Sequence, residues 1–424
     1  MTCGRYAAAL AALERDWSGQ VALLQEMVRI PSVVGDEGKV QRWVRERFAA
    51  LGLDVQEILL GEERLAAHPT AFDTGFPGAG RPNFRGRWAG TGDGPSLVLN
   101  AHVDVVPVEP VDAWSVDPWG GEIRGGRLYG RGAADMKGGW IAIHAALAAL
   151  RASGYRPPGD LYFESVVEEE AGGVHGTLAC RLEPIPADGM IITEPLWTHV
   201  IVAHPGILYF RLRVEGRSTH AALAQHGVSA LLEALPIVAA LEALDRSRAR
   251  AHRHPLFERL PGCQGRSVHL NLGVCRAGDW PSTVPAEAVI EARVSYLPGE
   301  SEAAVRDEIL ETVRAAASTP WLVEHPPEVE WFGWRGQPWQ QDPAHRLVGL
   351  LQQAVGAERG SVPEVAADTA GLDARWAGEF GIPCAVFGPY GEQIHGVDEW
   401  VDLDSIRVVA RSLLRTIIDW QHPR

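Results

Sequence analysis

Short apolar runs with β character alternate with helical patterns along the first half of this chain. Such runs occupy residues 96–102 and 160–167, and apolar residues recur at helical spacing over residues 137–151 between them. Near the C-terminus, a run at residues 384–387 precedes a last helical pattern at residues 403–420. Strands that alternate with helices predict an α/β domain whose central sheet is mostly parallel.

Residues 204–334 interrupt this alternation. Their pattern is strand, helix, two strands, helix and strand, which is typical of a self-contained α+β sandwich. A chain of 424 residues is also longer than one hydrophobic core usually grows, so two domains are expected. The sequence therefore predicts a first domain built from residues 1–203 and 335–424, with residues 204–334 inserted as a second domain.

Composition argues against several classes of protein. Lys and Arg number 39 against 54 Asp and Glu, a formal net charge of -15, so nucleic acid is not expected as a partner. The apolar stretches are short or interrupted by charges, so neither a secretory signal nor a membrane span is expected. The five cysteines are scattered without CxxC spacing, which disfavours a disulfide framework and a cysteine zinc site. We therefore expect a cytoplasmic protein.

The first candidate metal ligand is His102, near the end of an apolar run that continues to Asp104. Side chains two residues apart in a strand point to the same side, so Asp104 is expected to accept a hydrogen bond from the far ring nitrogen of His102. Such an acid fixes the tautomer that a metal-binding histidine needs. On its own this motif carries little weight, because strand-end histidines are more often ordinary polar residues.

Acidic residues follow in two further motifs. Asp135 lies in a glycine-rich loop at residues 130–139, either as the N-cap of the next helix or as a metal ligand enclosed by close backbone. Glu168, Glu169 and Glu170 come directly after an apolar strand. These three acids form either a solvated charge run or a group whose mutual repulsion a dication would relieve.

Two more candidates complete the set. Glu194 ends another apolar strand, at the kind of position where open α/β sheets bind ligands. His395 lies in a polar motif at residues 394–400. Together the motifs supply imidazole and carboxylate donors without thiolate, which suits zinc, cobalt or manganese in a catalytic site.

The order and spacing of these five motifs resemble those of the two-zinc amidohydrolase family. This family includes acetylornithine deacetylase, succinyl-diaminopimelate desuccinylase, aminoacylase and glutamate carboxypeptidase. The resemblance extends from residues 29–33 to residues 395–399. It implies a zinc-peptidase-like catalytic domain and an inserted domain that acts as a lid and forms the interface of a homodimer.

The resemblance also implies a set of metal ligands. One divalent ion would bind His102 and Glu194, a second would bind Glu170 and His395, and Asp135 would bridge both. Zinc is the expected metal, with cobalt or manganese as alternatives. The two ions would activate a water molecule for attack on an amide bond.

Further roles follow from the same resemblance. Glu169 matches the general base, Glu168 stands where the family usually has Asp, and Asp104 matches the acid that orients His102. His220 matches a histidine of the inserted domain that stabilises the oxyanion, in its own subunit or in the partner of the dimer. By its spacing alone, His220 is a helix-start histidine.

The sequence departs from the family pattern at residues that would bind substrate. Many members hold a substrate carboxylate with an Asn and an Arg of the inserted domain, but Ser282 and Ser295 stand at these positions. The nearest arginine, Arg293, lies one pleat away on the same strand. Asp373 and Arg375 match an acid and a base for substrate contact, although Arg375 is equally suited to a structural ion pair.

These features predict a metal-dependent hydrolase of a small amide. The leading hypothesis is deacylation of an N-acyl amino acid, as in acetylornithine deacetylase. The alternatives are a deformylase or deacylase of an amine without an α-carboxylate, such as an N-formyl aminopyrimidine, and a dipeptidase or carboxypeptidase. A metal-holding binding protein without catalysis is disfavoured, because binding alone needs no free base at Glu169.

Overall fold

A computed structural model describes residues 2–260, 263 and 265–422. The chain forms two compact units. The first comprises Met1–Val202, Gln340–Ala366 and Leu372–Arg424, and the second comprises Ala203–Trp339 and Ala367–Gly371. The second unit therefore includes a short segment that lies well beyond residues 204–334 in the sequence.

The strands and helices of the described residues are numbered in chain order. The strands are β1 Asp54–Ile58, β2 Asn83–Trp88, β3 Leu97–His102, β4 Glu122–Arg124, β5 Arg127–Tyr129, β6 Leu161–Val166, β7 Met190–Ile192, β8 His199–His204, β9 Gly206–Glu215, β10 Leu270–Ala277, β11 Glu287–Tyr296, β12 Glu328–Gly336, β13 Trp339–Gln340, β14 Glu364–Ala367, β15 Cys384–Val386, β16 Gly391–Glu392 and β17 Trp400–Asp402. The helices are α1 Thr2–Val28, α2 Gly38–Ala50, α3 Glu62–Ala66, α4 Gly139–Ala152, α5 Ala179–Leu182, α6 Ala230–Ala251, α7 Pro255–Glu258, α8 Glu302–Ala316, α9 Pro320–Glu324, α10 Arg346–Arg359, α11 Ala374–Glu379 and α12 Leu403–Gln421.

The main sheet is mixed, with strand order β1-β2-β6-β3-β7-β15-β8-β13 and β14 paired to β8. Its four central strands, β6, β3, β7 and β15, run parallel, while β1, β2 and β8 pair antiparallel. The predicted α/β class is confirmed, and parallel pairing is concentrated in the centre of the sheet. This centre matters for function because parallel strands end at the same edge.

Burial explains why the central strands are apolar along their whole length. Every residue of β3 and of β6 is buried, as expected for strands covered on both faces. Helices α1, α4 and α12 pack against one another. Helix α12 presents one apolar face, on which Ile406, Val409, Leu413 and Ile417 are buried at spacings of three or four residues.

The second unit contains a four-stranded antiparallel sheet with strand order β10-β11-β9-β12. Burial alternates along β9 and β11, so one face of the sheet is apolar. Side chains of α6 and α8 pack on this face, where the buried core includes Phe210, Ile237, Ile290 and Ile309. The predicted α+β character of this segment is confirmed.

No helix in the described part of the chain combines the length and apolar character needed to cross a membrane. The cytoplasmic location and the absence of a nucleic-acid partner stay predictions.

A substitution at Gly139 tests how closely α4 packs against the residue that follows β7. A Cβ atom at this first helical position would lie well inside van der Waals contact with the main-chain oxygen of Thr193. We expect Gly139→Ala to lower the free energy of unfolding by about 1–3 kcal/mol, as overpacking typically does. Urea denaturation measures this change.

The matched control is Gly349→Ala inside α10, where an added Cβ meets nothing within 4 Å. Alanine is the better helix former, so this variant should gain about 0.5–1 kcal/mol. Equal stabilisation of the two variants would contradict the predicted contact at Thr193.

Candidate metal centre

Three adjacent parallel strands bring the predicted ligands to one edge of the main sheet. His102 is the last residue of β3, Glu169 and Glu170 follow β6, and Glu194 follows β7. Because β6, β3 and β7 are neighbours with parallel pairing, their carboxyl ends meet. Residues far apart in sequence therefore converge, and the glycine-rich loop of Asp135 joins them.

His102 is oriented by the backbone of Asp104. The Nδ1 atom of His102 lies 3.0 Å from the main-chain oxygen of Asp104 and 3.5 Å from its carboxylate Oδ1. The contact of His102 with the Asp104 carboxylate, which the sequence predicted, is therefore longer than its contact with the Asp104 backbone. The reason is that β3 ends at His102, so the alternation of side chains along the strand does not extend to Asp104. The Asp104 carboxylate instead accepts the backbone N–H of Glu170 at 3.0 Å.

The Nε2 atom of His102 is left to face the acids. It lies 3.1 Å from Oδ1 of Asp135 and 3.7 Å from Oε2 of Glu194. Donation from Nδ1 to a carbonyl leaves Nε2 without a proton in the neutral ring, which is the form that binds a metal.

Asp135 faces both histidines, one with each carboxylate oxygen. Its Oδ1 lies 3.1 Å from Nε2 of His102, and its Oδ2 lies 3.3 Å from Nε2 of His395. Asp135 is not the N-cap of α4, because this helix begins only at Gly139 and its N-cap is Gly138. This arrangement suits a carboxylate that bridges two cations.

Glu170 and His395 form the second pair of candidate ligands. The Nε2 atom of His395 lies 3.1 Å from Oε1 and 3.0 Å from Oε2 of Glu170. Glu170 is nearly buried, whereas the side chain of His395 is half exposed. Hydrogen bonds to Asp135 and Glu170 raise the pKa of His395 to about 10.

The electrostatics of the group favour a bound cation. Burial raises the pKa of Glu194 to about 8 and that of Glu170 to about 7. Burial, followed by the charge of Glu194, raises the pKa of Glu169 well above its usual range. The Oε1 atom of Glu194 is buried and has no hydrogen-bond partner among the described residues. Crowding several acids into one buried group is costly, so these residues fit a metal centre.

The candidate ligand atoms form two overlapping triplets, and within each triplet all the atoms lie within 4.8 Å of one another. One consists of His102, Asp135 and Glu170, and the other of His102, Glu169 and Glu194. Glu169 therefore lies as close to this group as a ligand would. Its role as the base, and that of Glu194 as a ligand, stay predictions.

Glu168 differs from the two acids that follow it, because it has an arginine partner. This fully buried carboxylate lies 2.7 Å from Nη2 of Arg81 and 2.8 Å from Nδ1 of His175. The acidic triplet is therefore not a solvated charge run. Sequence reasoning did not identify Arg81 or His175, since Arg81 lies 87 residues from Glu168 and no local pattern links them.

The predicted substrate residues Asp373 and Arg375 are buried in the first unit. Asp373 accepts a hydrogen bond of 2.6 Å from the hydroxyl of Thr177, and burial raises its pKa to about 6. Arg375 donates to the main-chain oxygen of Gly172 and lies 4.3 Å from the ring centroid of Trp376. These contacts anchor the loop that follows Glu170, and a substrate role for either residue stays a prediction.

The remaining predicted residues belong to the second unit. His220 is exposed, and its Nδ1 accepts the backbone N–H of Ala222 at 3.0 Å, which caps a short helical turn. Arg293 donates to the main-chain oxygen of Thr369 at 3.0 Å. Ser295 accepts the backbone N–H of His269 at 2.8 Å, so its hydroxyl is engaged within its own sheet.

The edge of parallel strands carries His102, Glu169, Glu170 and Glu194, and two loops add Asp135 and His395, which is an arrangement suited to a metal-dependent enzyme. Residues 98–419 match the model of Peptidase family M20/M25/M40. The chain therefore belongs to this peptidase family and is a hydrolytic enzyme that acts on acyl-amino compounds or peptides.

Curated relatives with two different activities resemble the chain. An N-formyl-4-amino-5-aminomethyl-2-methylpyrimidine deformylase of Halalkalibacterium halodurans is 30% identical over 349 residues, covering 78% of this chain and 80% of the relative. A succinyl-diaminopimelate desuccinylase of Rhodospirillum centenum is 30% identical over 426 residues, covering 95% of this chain and 98% of the relative.

Among solved structures, the dipeptidase Dug1p of Saccharomyces cerevisiae has a TM-score of 0.80. The match covers 99% of both chains at 15% sequence identity, so it supports the fold alone.

Proposed function

We propose that this enzyme uses two divalent metal ions to hydrolyse the amide bond of a small N-acylated amine. One ion would be held by His102 and Glu194, and the other by Glu170 and His395, with Asp135 shared. The observation that carries this proposal is that the two carboxylate oxygens of Asp135 face different histidines, at 3.1 and 3.3 Å. When bound, such ions polarise a carbonyl and lower the pKa of water.

The imidazole and carboxylate donors suit zinc, which is the metal we propose, with cobalt or manganese as alternatives.

Glu169 would act as the general base. A carboxyl group that is 7% exposed and has a raised pKa is suited to accept a proton near neutral pH. Its carboxylate would take a proton from the attacking water and deliver it to the departing nitrogen. The C–N bond then breaks to give a carboxylic acid and an amine, and water supplies the added hydroxyl group and the transferred proton.

The first candidate substrate is an N-acyl amino acid. The desuccinylase relative supports this class, because the similarity covers 95% of this chain. A dipeptide is a related candidate, since it also joins an acyl carbon to the nitrogen of an amino acid.

A specific observation favours a second candidate, an acylated amine without an α-carboxylate. Ser282 and Ser295 occupy the positions where many family members have a carboxylate-binding Asn and Arg. The hydroxyl of Ser295 is engaged with the backbone of His269, and Arg293 donates to Thr369. The deformylase relative supports this class.

Replacing Glu169 by Gln tests its role as the base. The amide cannot carry the proton, so kcat should fall by about 10²–10⁴-fold while two ions remain bound. Elemental analysis and steady-state kinetics measure both quantities.

The matched control is the same change one residue along, Glu170→Gln, which should lose metal as well as activity. Removal of the ions from wild-type protein by a chelator should abolish turnover, and added Zn²⁺ should restore it. An emptied site in Glu169→Gln would mean that Glu169 is a ligand.

A pair of substrates tests the demand for an α-carboxylate. A bidentate arginine contact typically contributes about 1.5–3 kcal/mol, or about 10- to 150-fold in kcat/KM. Without such an arginine contact, the kcat/KM values for an N-acyl amino acid and for its decarboxylated analogue should differ by less than this factor. A preference of several hundredfold for the acid would contradict the second candidate and favour the first.

We also propose that the enzyme is a homodimer joined through its second unit, in which His220 completes the oxyanion site of the partner. Several large apolar side chains of this unit are exposed, which supports an interface: Leu223, Leu231, Leu232, Leu235 and Trp280. His220 is exposed as well.

Subunit mixing tests the position of His220. Loss of one oxyanion donor costs about 10²–10³ in kcat, so His220→Ala alone should be nearly inactive but retain metal. A mixed dimer of His220→Ala and Glu169→Gln subunits would contain one intact and one doubly defective site. Equal mixing should then restore about a quarter of wild-type activity. A mixture that stays inactive despite proven subunit exchange would show that His220 does not act across the dimer.

A further inference from the structure

Glu399 collects four N–H donors, although the ligand motifs gave it no role. This carboxylate is 1% exposed. Its Oε2 accepts from Nη1 of Arg131 at 2.7 Å and from the backbone of Gly132 at 3.0 Å. Its Oε1 accepts from the backbones of Ala134 and Asp135 at 2.9 and 3.1 Å. Both oxygens of Glu399 therefore fix the loop that presents Asp135.

Arg131 extends this contact to the loop that carries His395. Its Nη2 donates to the main-chain oxygens of Gly396 at 3.0 Å and Pro107 at 3.1 Å. Gly396 follows His395 directly, and Glu399 ends the same loop. The Glu399–Arg131 pair thus joins the loop of Asp135 to the loop of His395.

The His395 loop needs such support because its backbone is strained. Gln393, His395 and Asp398 have φ values of 58°, 60° and 58°, in the left-handed region that side-chain-bearing residues rarely adopt. The side chain of His395 is half exposed, so burial of the ring does not fix its position. Polar contacts to the loop must therefore do so.

The other candidate ligands are positioned in a different way. His102 is the last residue of the buried strand β3 and pairs with Val166 of β6, and Glu194 lies two residues beyond the buried strand β7. Among the described residues, the loop of Asp135 and Met136 connects His102 to the Glu399 contacts.

We infer that Glu399 and Arg131 are positioning residues that determine the affinity of the second ion, the one assigned to Glu170 and His395. This inference rests on the proposed two-ion centre. Without the Glu399 contacts, the positions of Asp135 and His395 relative to each other are no longer fixed. The affinity for the second ion should therefore fall selectively. Substitutions of groups that orient metal ligands typically cost 10–100-fold in metal affinity, and this is the loss expected here.

The test is a Co²⁺ titration of metal-free protein that is monitored by calorimetry and by visible absorption. Wild-type protein should bind two ions. In Glu399→Gln, an NH₂ group replaces one acceptor oxygen, so at least one buried N–H loses its partner. The second binding step should then weaken by about 10–100-fold, while the first changes by a much smaller factor.

Glu392→Gln provides the matched control, because Glu392 is an exposed acid on the neighbouring strand β16. It should leave both steps unchanged. Arg131→Lys provides a second variant if Glu399→Gln does not fold, since lysine cannot reach Glu399, Gly396 and Pro107 at once. It should weaken the same step.

The outcomes separate the inference from the proposal on which it rests. Fewer than two ions on wild-type protein would overturn the two-ion centre and the inference with it. If Glu399→Gln binds both ions as tightly as the wild-type protein does, only the inference is overturned. Equal weakening of both steps, with a lower free energy of unfolding of the metal-free variant, would also overturn it, because that pattern indicates a general structural role.

Discussion

Repulsion among buried carboxylates is the constraint on which this structure depends. Two parallel strands, β6 and β7, end at one edge and are followed by Glu169, Glu170 and Glu194, and a glycine-rich loop adds Asp135. Burial raises the pKa of the first three, because each charge loses its hydration near other negative charges. A divalent cation relieves this cost directly, so a metal centre and a stable fold have the same requirement at this edge.

Nearby acids outside the ligand group are stabilised by arginine instead. Glu164 pairs with Arg85 and Arg181, Glu168 pairs with Arg81, and Glu399 pairs with Arg131. Within the described part of the chain, the direct side-chain partners of Asp135, Glu170 and Glu194 in this group are histidines. Arginine stays charged and would compete with a metal, whereas neutral imidazole can bind one. The partner of each acid thus distinguishes structural acids from candidate ligands.

The relatives point to a shared reaction with different substrates. A desuccinylase and a deformylase are each 30% identical to the chain, and both names describe release of an acyl group. In the proposed mechanism the ligand group acts on the amide itself, so it does not distinguish between them. Distinction must come from groups that contact the rest of the substrate, and Ser295 and Arg293 are engaged with backbone in the second unit.

The sequence by itself determined the two-part α/β and α+β organisation and the candidate ligands His102 and Glu194 at strand ends. Periodicity and strand termini are local properties, so they can be read without knowing the partners. Tertiary structure alone decided which atoms meet. It turned the backbone oxygen of Asp104 toward His102, paired Glu168 with Arg81, and directed Arg375 to Gly172. It also brought Glu399 to the Asp135 loop across 264 residues. Such contacts depend on how strands and loops pack, which no local pattern encodes.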